Sequence, residues 1–327
     1  MNPPMRITVL AGGVGGARFL KGLRKIQDVE ISVVVNNADD ISMYGVRICP
    51  DLDSIIYNLA GVSDLVRGWG RADETWQIQA ELARYTATET WFNLGDKDFA
   101  THIHRSFALN QGSMLHEVVA QQCATWGIAQ NILPATNDQI ETQVILKEPF
   151  EGRSSIHFQE WWVRHRAKLA ATAFEISGIE EARPAPGVIE AITDCDIVIF
   201  APSNPIVSIG SILQIPGVRE AVVHTDATVV GISPIIGSSP LLGMADVCMS
   251  VLGLSTSSVS VAKVYGSRGN NGLLDGWLIA DSDSNRLAEV ADLGLLTAAV
   301  PLLMSDDNAT LAMAEAAIGL VMKEAAI

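Results

Sequence analysis

The stretch Arg6-Ile-Thr-Val-Leu-Ala-Gly-Gly-Val-Gly-Gly-Ala-Arg-Phe-Leu-Lys-Gly22 decides the fold of this 327-residue chain. Ile7 to Leu10 is a short apolar run of the kind that forms a buried strand. Gly12, Gly13, Gly15 and Gly16 follow as a turn almost without Cβ atoms, and Ala17 to Leu23 reads as a helix. A strand, a glycine turn and a helix N-terminus place backbone N–H groups where they can converge on a phosphate. A bare backbone also lets a diphosphate come close. The turn departs from two better-known fingerprints. Gly-Lys-Ser/Thr is missing, so it is not a Walker A loop. Arg18 stands where the third glycine of a dinucleotide loop belongs, and the second strand, Ile31 to Val35, ends in Asn36-Asn37 where NAD binding needs an acidic residue. Both departures speak against a nicotinamide-dependent oxidoreductase. A tight βα turn with no ligand is the plainer alternative, but four glycines in five positions exceed what a turn needs.

Downstream of that second strand come Asp39 and Asp40, then Cys49-Pro-Asp51-Leu-Asp53-Ser54 ahead of a helical run from Ile55 to Leu59. Carboxylates at the C-terminal end of a parallel strand lie on the ligand side of the sheet. Asp51 or Asp53 can cap the helix that follows. Capping accounts for one of the four; hard oxygen ligands of this kind suit Mg²⁺ bound together with a phosphate substrate. Glu89 to Leu94 reads as a strand, followed by Asp96-Lys97-Asp98 as either a site or a charged turn. Ala100 to Phe107 reads as a helix whose His102 and His104, two residues apart, face different ways, so a zinc site is unsupported. Trp161-Trp162 packs in the core or contacts a planar ring.

Asp196-Ile-Val-Ile-Phe-Ala201 is a second apolar strand running into a polar turn, Pro202-Ser203-Asn204-Pro205, and Val229 to Ile232 repeats the pattern. Ser203 and Asn204 can hydrogen-bond a phosphate or a base. Apolar strands alternating with helices predict an α/β, Rossmann-like three-layer sandwich with a mostly parallel central sheet. One domain over 1–327 is expected, with a small helical subdomain around 155–190.

Composition narrows the function. A net charge of −15 argues against nucleic acid as partner. Cys49, Cys123, Cys195 and Cys248 are scattered, which fits a reducing compartment and no zinc site. No secretory pattern is legible at the N-terminus, and no apolar run reaches the ~18 residues of a membrane span. The expectation is a cytoplasmic protein without membrane contact.

Five motifs taken together, Ala-Gly-Gly-Val-Gly-Gly-Ala-Arg18, Asn-Ala-Asp39-Asp40, Cys-Pro-Asp51-Leu-Asp53, Leu-Gly-Asp96-Lys-Asp98-Phe-Ala-Thr-His102 and Ala-Pro-Ser203-Asn204-Pro, resemble the 2-phospho-L-lactate transferase family from about residue 6 to about residue 310. The resemblance implies a step of coenzyme F420 biosynthesis. A guanosine diphosphate donor carrying lactyl-2-phosphate, enolpyruvyl-2-phosphate or the glycerate equivalent gives up its phospho-acid to the terminal hydroxyl of the deazariboflavin Fo, and GMP leaves. It also implies Mg²⁺ as cofactor and a homodimer. Met244-Ala-Asp-Val, Ser257 to Gly266 and Val300-Pro-Leu-Leu-Met resemble the actinobacterial branch, which implies the enolpyruvyl donor.

Carried over, the resemblance places Gly12, Gly13, Gly15, Gly16, Ser203 and Asn204 at the donor nucleotide. Asp53, Asn93 and Asp96 fall at Fo, although the position of Asn93 is often basic in archaeal members. Asp39, Asp40 and Asp53 fall at the metal, with Asp53 and Asp40 as the catalytic candidates, Asp53 to orient or deprotonate the attacking hydroxyl. Relatives of this fold from organisms without deazaflavin chemistry imply an alternative, a non-catalytic regulatory or nucleotide-sugar-binding protein. Asp51-Leu-Asp53 and Gly95 to Asp98 favour the transferase.

Overall fold

A computed structural model describes residues 3–85, 90–241 and 243–322. Seven strands form the central sheet: β1 (Met5–Ala11), β2 (Val29–Val35), β3 (Asn131–Pro134), β4 (Ile197–Phe200), β5 (Thr228–Ile232), β6 (Gly276–Ala280) and β7 (Leu296–Val300). Their spatial order is β7-β6-β5-β4-β1-β2-β3, and every neighbouring pair is parallel. The order reverses at β1, with β2 on one side and β4 on the other. In such a sheet the crevice for a ligand lies beyond the C-terminal ends of the strands at that reversal. Ala11 of β1 and Phe200 of β4 bring the glycine turn and the Pro202-Ser203-Asn204 turn to this one place.

The strands are apolar throughout because both faces are covered. Side chains alternate across a strand, so Leu10, Val34, Val198 and Phe200 enter one core while Val9, Val33, Val35 and Ile199 enter the other. The second core is closed by α1 (Gly13–Leu23), α2 (Pro50–Ala60) and the long helix Asp307–Met322, whose Met313, Ala314, Ala317 and Val321 are buried there. Parallel strands covered on both sides by helices are the three-layer arrangement that the sequence pattern predicts.

Three local expectations are corrected. The helical lobe expected around 155–190 is largely β: Glu141–Phe150, Arg153–His157 and Ala171–Ser177 form an antiparallel three-stranded sheet, with one short turn of helix at Glu160–Arg164. Its inner face is a separate core of Val144, Ile156, Phe158 and Trp161. The period-two alternation Thr142, Val144, Leu146 carries that sheet. The main helical excursion lies earlier, in α2 and in two further helices, α3 (Asp96–Asn110) and α4 (Leu115–Thr125). The strand expected at 89–94 is irregular over the described residues 90–95, because Gln79 satisfies its backbone, accepting from Leu94 N and donating to the Thr90 and Phe92 carbonyls; Glu89 lies outside the described residues. Finally, the first helix begins at Gly13, four residues before Ala17, so three of the four glycines form its opening turn.

Candidate active site

A cavity of about 950 Å³ opens at the strand-order reversal. Gly12, Gly13 and Gly15 line one end of it together with Ser203 and Asn204. The two turns are stitched together through Ser203, whose Oγ accepts from Gly12 N at 3.1 Å and donates to the Gly12 carbonyl at 2.7 Å. Gly13 has φ +61°, and a Cβ on Gly15 would run into the Pro202 carbonyl oxygen. Glycine is needed there to let the turns close on each other. Gly16 is packed behind, against Ala11 and Ser203. Asn204 uses its Oδ1 to accept from Ile206 N and Val207 N, which holds the second turn in shape. The N–H groups of Val14 and Gly15, in the first turn of α1, have no partner within the helix.

Asp39 and Asp51 stand at the same end. A single amide joins them: Asn36 Nδ2 donates to Asp39 Oδ1 at 2.8 Å and to Asp51 Oδ2 at 2.9 Å. Burial pushes the Asp51 carboxyl up to about 6, even though Asn36, the Gly13 N–H and Ser208 all stabilise its charged form. Asp39 is raised well above the carboxylate range, first by burial and then by the charge of Asp51. Two buried carboxylates that resist ionising together, beside free backbone donors, make a site that calls for a cation or a proton.

The other end of the cavity is built by α2, α3 and the loop between 61 and 76. Asp53 lines it, but its carboxylate is closed into a fork with Arg105, Nη1 donating to Oδ2 at 3.0 Å and Nη2 to Oδ1. Tyr57, Asn93, Asp98 and His102 line the same wall. Arg67 and Trp69 complete the rim, the Arg67 guanidinium stacked 5.3 Å from the Trp69 ring centre and 5.1 Å from that of Trp76. Trp162 also faces the cavity, whereas Trp161 is a core residue whose indole N–H donates to the Leu169 carbonyl.

The expected site residues thus separate, with Gly16 outside the cavity lining behind the glycine turn. Gly12, Gly13, Gly15, Ser203, Asn204, Asp39, Asp53 and Asn93 come together around one cavity. Asp40 is fully buried behind the wall, its Oδ2 3.9 Å from Arg47 Nε, and burial lifts its carboxyl to about 7. Asp96 is outside the cavity and half-buried. It holds the start of the helix Gln77–Tyr85 by accepting from Thr75 Oγ1, Gln77 N and Ile78 N, and Asp98 takes the place at the wall. Asp39, Asp40 and Asp53 do not converge, and among the described residues no group of three or more His, Cys, Asp or Glu is arranged around a metal position. The carboxylate pair at the glycine end is Asp39 with Asp51, because Asp53 is turned to Arg105. Neither Arg105 nor Asn36 is among the site residues that the sequence predicts. The one available signal for Arg105 was its place one helical turn after His102, on the side of α3 that also carries Asp98.

No helix among the described residues is long and apolar enough to cross a membrane. The profile of the family described as 2-phospho-L-lactate transferase CofD matches residues 7–298. Among relatives, the chain is 48% identical to phosphoenolpyruvate transferase of Mycolicibacterium smegmatis over 97% of this chain and 98% of that protein. It is 48% identical to the protein of the same name from Streptomyces griseus, with the same coverage, and 47% identical to that of Thermobifida fusca over 98% of each. Among solved structures, a upf0052 family protein from Bacillus halodurans superposes with a TM-score of 0.64 over 96% of this chain and 99% of that one, at 16% identity, which is a likeness of fold. Matched over nearly its whole length, the chain belongs to the 2-phospho-L-lactate transferase CofD family.

Proposed function

We propose that the protein is a transferase of coenzyme F420 biosynthesis. It moves a phosphoenolpyruvyl group, or a 2-phospho-lactyl group, from a guanosine diphosphate donor to the terminal hydroxyl of Fo and releases GMP. The enolpyruvyl donor is favoured by the likeness to phosphoenolpyruvate transferases. The observation that carries the reading onto this chain is the single cavity that joins a glycine-lined anion end to an aromatic and carboxylate-lined end. A phosphoryl-type transfer requires two substrates held in line in one space.

In this reading the donor diphosphate lies at the first turn of α1, against the free N–H groups of Val14 and Gly15. Arg18, half-buried on the same helix, lines the cavity with no carboxylate paired to it among the described residues. It supplies a positive charge where the departing phosphate gathers negative charge. Asp39 and Asp51 fit Mg²⁺: two carboxylates plus substrate phosphates are a common way of holding that ion. A diphosphate bound beside two buried carboxylates would also need a compensating positive charge. When bound, Mg²⁺ neutralises the diphosphate and stabilises the leaving GMP. The acceptor hydroxyl attacks phosphorus, forming one P–O bond as the anhydride P–O bond breaks. Asp53, already engaged by Arg105, orients that hydroxyl, whose proton passes to solvent as the new P–O bond forms.

The test is turnover. Purified protein, Mg²⁺ and Fo are mixed with the enolpyruvyl, lactyl and glyceryl donors in turn, and GMP and the product mass are measured. Product from the enolpyruvyl donor is expected. Absence of Fo binding and of GMP release with all three would overturn the reading in favour of a non-catalytic relative.

A further inference from the structure

One wall of the cavity carries a polar network of which the chemistry above uses only the Asp53 carboxylate. Arg105 is fully buried, and its fork closes on Asp53. Its Nη1 also reaches the Arg47 carbonyl at 3.3 Å and His102 Nδ1 at 3.2 Å. A guanidinium has donors only. Nδ1 of His102 is therefore the acceptor, and the ring carries its proton on Nε2, which faces Asp98 Oδ1 at 3.3 Å. The Tyr57 hydroxyl donates to the same oxygen at 2.6 Å. Apart from the Arg47 carbonyl, the groups these donors reach are the Asp53 and Asp98 carboxylates and the imidazole between them.

The arrangement constrains what the wall can recognise. Asp53 and Asp98 both line the cavity, and each is held from behind by groups that have no freedom to rotate away. Burial alone would raise the Asp98 carboxyl. His102, Tyr57 and Arg105 outweigh that burial and hold it below its ordinary value, so it stays an acceptor. Arg105 spends its charge on Asp53, which makes Asp53 a poor metal ligand, and the carboxylates repel a phosphate. What remains is a surface of fixed acceptors suited to hydroxyl groups.

We infer that Arg105 and His102 are positioning residues for a polyol subsite, holding Asp53 and Asp98 as two acceptors for the hydroxyls of the acceptor's sugar-alcohol chain. The inference rests on the deazaflavin acceptor proposed above and goes beyond it in naming the part of that molecule this wall reads and the residues that set the wall.

The experiment compares two fluorescent probes, Fo and the same deazaflavin ring carrying a methyl group in place of the ribityl chain. Binding of each is titrated against the wild type, His102→Gln and Arg105→Lys, with KM for the donor and for Fo measured alongside melting midpoints. Wild type is expected to prefer Fo strongly. Each variant should cut that preference about tenfold and raise KM for Fo, since hydroxyls then lose well-placed partners. The affinity for the methyl probe and the KM for the donor should stay within about twofold. An unchanged preference in both variants would overturn the inference. So would parallel losses for both probes and the donor that track a fallen melting midpoint, or failure of both variants to fold, since each result assigns the network to stability alone. A wild type that binds neither probe would instead remove the deazaflavin acceptor, and the polyol subsite with it. A wild type that binds Fo while the variants match it leaves the acceptor standing and removes only the positioning role.

Discussion

Asp40 shows at the residue scale how burial separates stability from chemistry. It follows directly on Asp39 in the chain, yet it points away from the cavity into a pocket shared with Arg47 and the Cys49 thiol. Burial raises its carboxyl from 3.8 to about 7, with Arg47 opposing. A carboxyl whose folded value exceeds its unfolded one stabilises the fold when protonated. That contribution is complete below the unfolded value and is lost as pH rises through the folded one. At about 1.4 kcal/mol for each tenfold change in proton affinity, the loss is large enough to see in a melting curve. Asp40→Asn mimics the protonated form. Its melting midpoint should match wild type near pH 4 and exceed it increasingly from pH 5 to pH 8. A constant difference across that range would show that Asp40 ionises freely.

The junction between β1 and α1 is the decisive element. Its glycines serve two ends at once: they let the β1 and β4 turns touch, and they leave the first helical turn bare. Gly15→Ala tests the first of these. Its methyl group meets the Pro202 backbone oxygen, and a backbone atom does not move aside as a flexible side chain would. The substitution should lower stability by about 1–3 kcal/mol, the usual cost of overpacking. It should also weaken donor binding more than Fo binding, as read by calorimetric titration with GMP and fluorescence titration with Fo. Much of this element was legible in the sequence, because glycines in that density mark a place where backbones must approach closely. The lobe at 155–190 was not. The run Ile156 to Arg166 has aromatic residues at spacings compatible with either a helix or a strand. The choice fell to the partner strand Glu141–Phe150, whose alternating apolar face needed covering.

Charge distribution decides function at the scale of the whole molecule. To bind the proposed diphosphate donor, a chain of net charge −15 would have to overcome its own field. The carboxylates Asp39 and Asp51 add to that field at the very place where the phosphates would sit. Divalent cation binding should therefore be visible without any substrate. Mg²⁺ should raise the melting midpoint by several degrees at pH 8, well above the value near 6 at which Asp51 titrates. It should do little at pH 5, where protons occupy a site whose Asp51 titrates near 6. Asp51→Asn should abolish the Mg²⁺ effect at both pH values. An equal rise at pH 5 and pH 8 would place the ion elsewhere.

Sequence by itself determined the strand–glycine–helix opening, the parallel α/β class and the five motifs that surround the cavity. Each of these is fixed by local rules: apolar runs of strand length, glycine at close approaches, polar turns at strand ends. Tertiary structure decided which carboxylates act together. Asp39, Asp40, Asp51 and Asp53 lie within fifteen residues and look equivalent on paper. The fold gives each a different neighbour, with Asn36 bridging Asp39 and Asp51, Arg47 facing Asp40, and Arg105 clasping Asp53. A carboxylate's chemistry is set by the charges and donors within a few ångströms. Arg105, 52 residues from Asp53 along the chain, reaches it only because α3 packs behind the cavity.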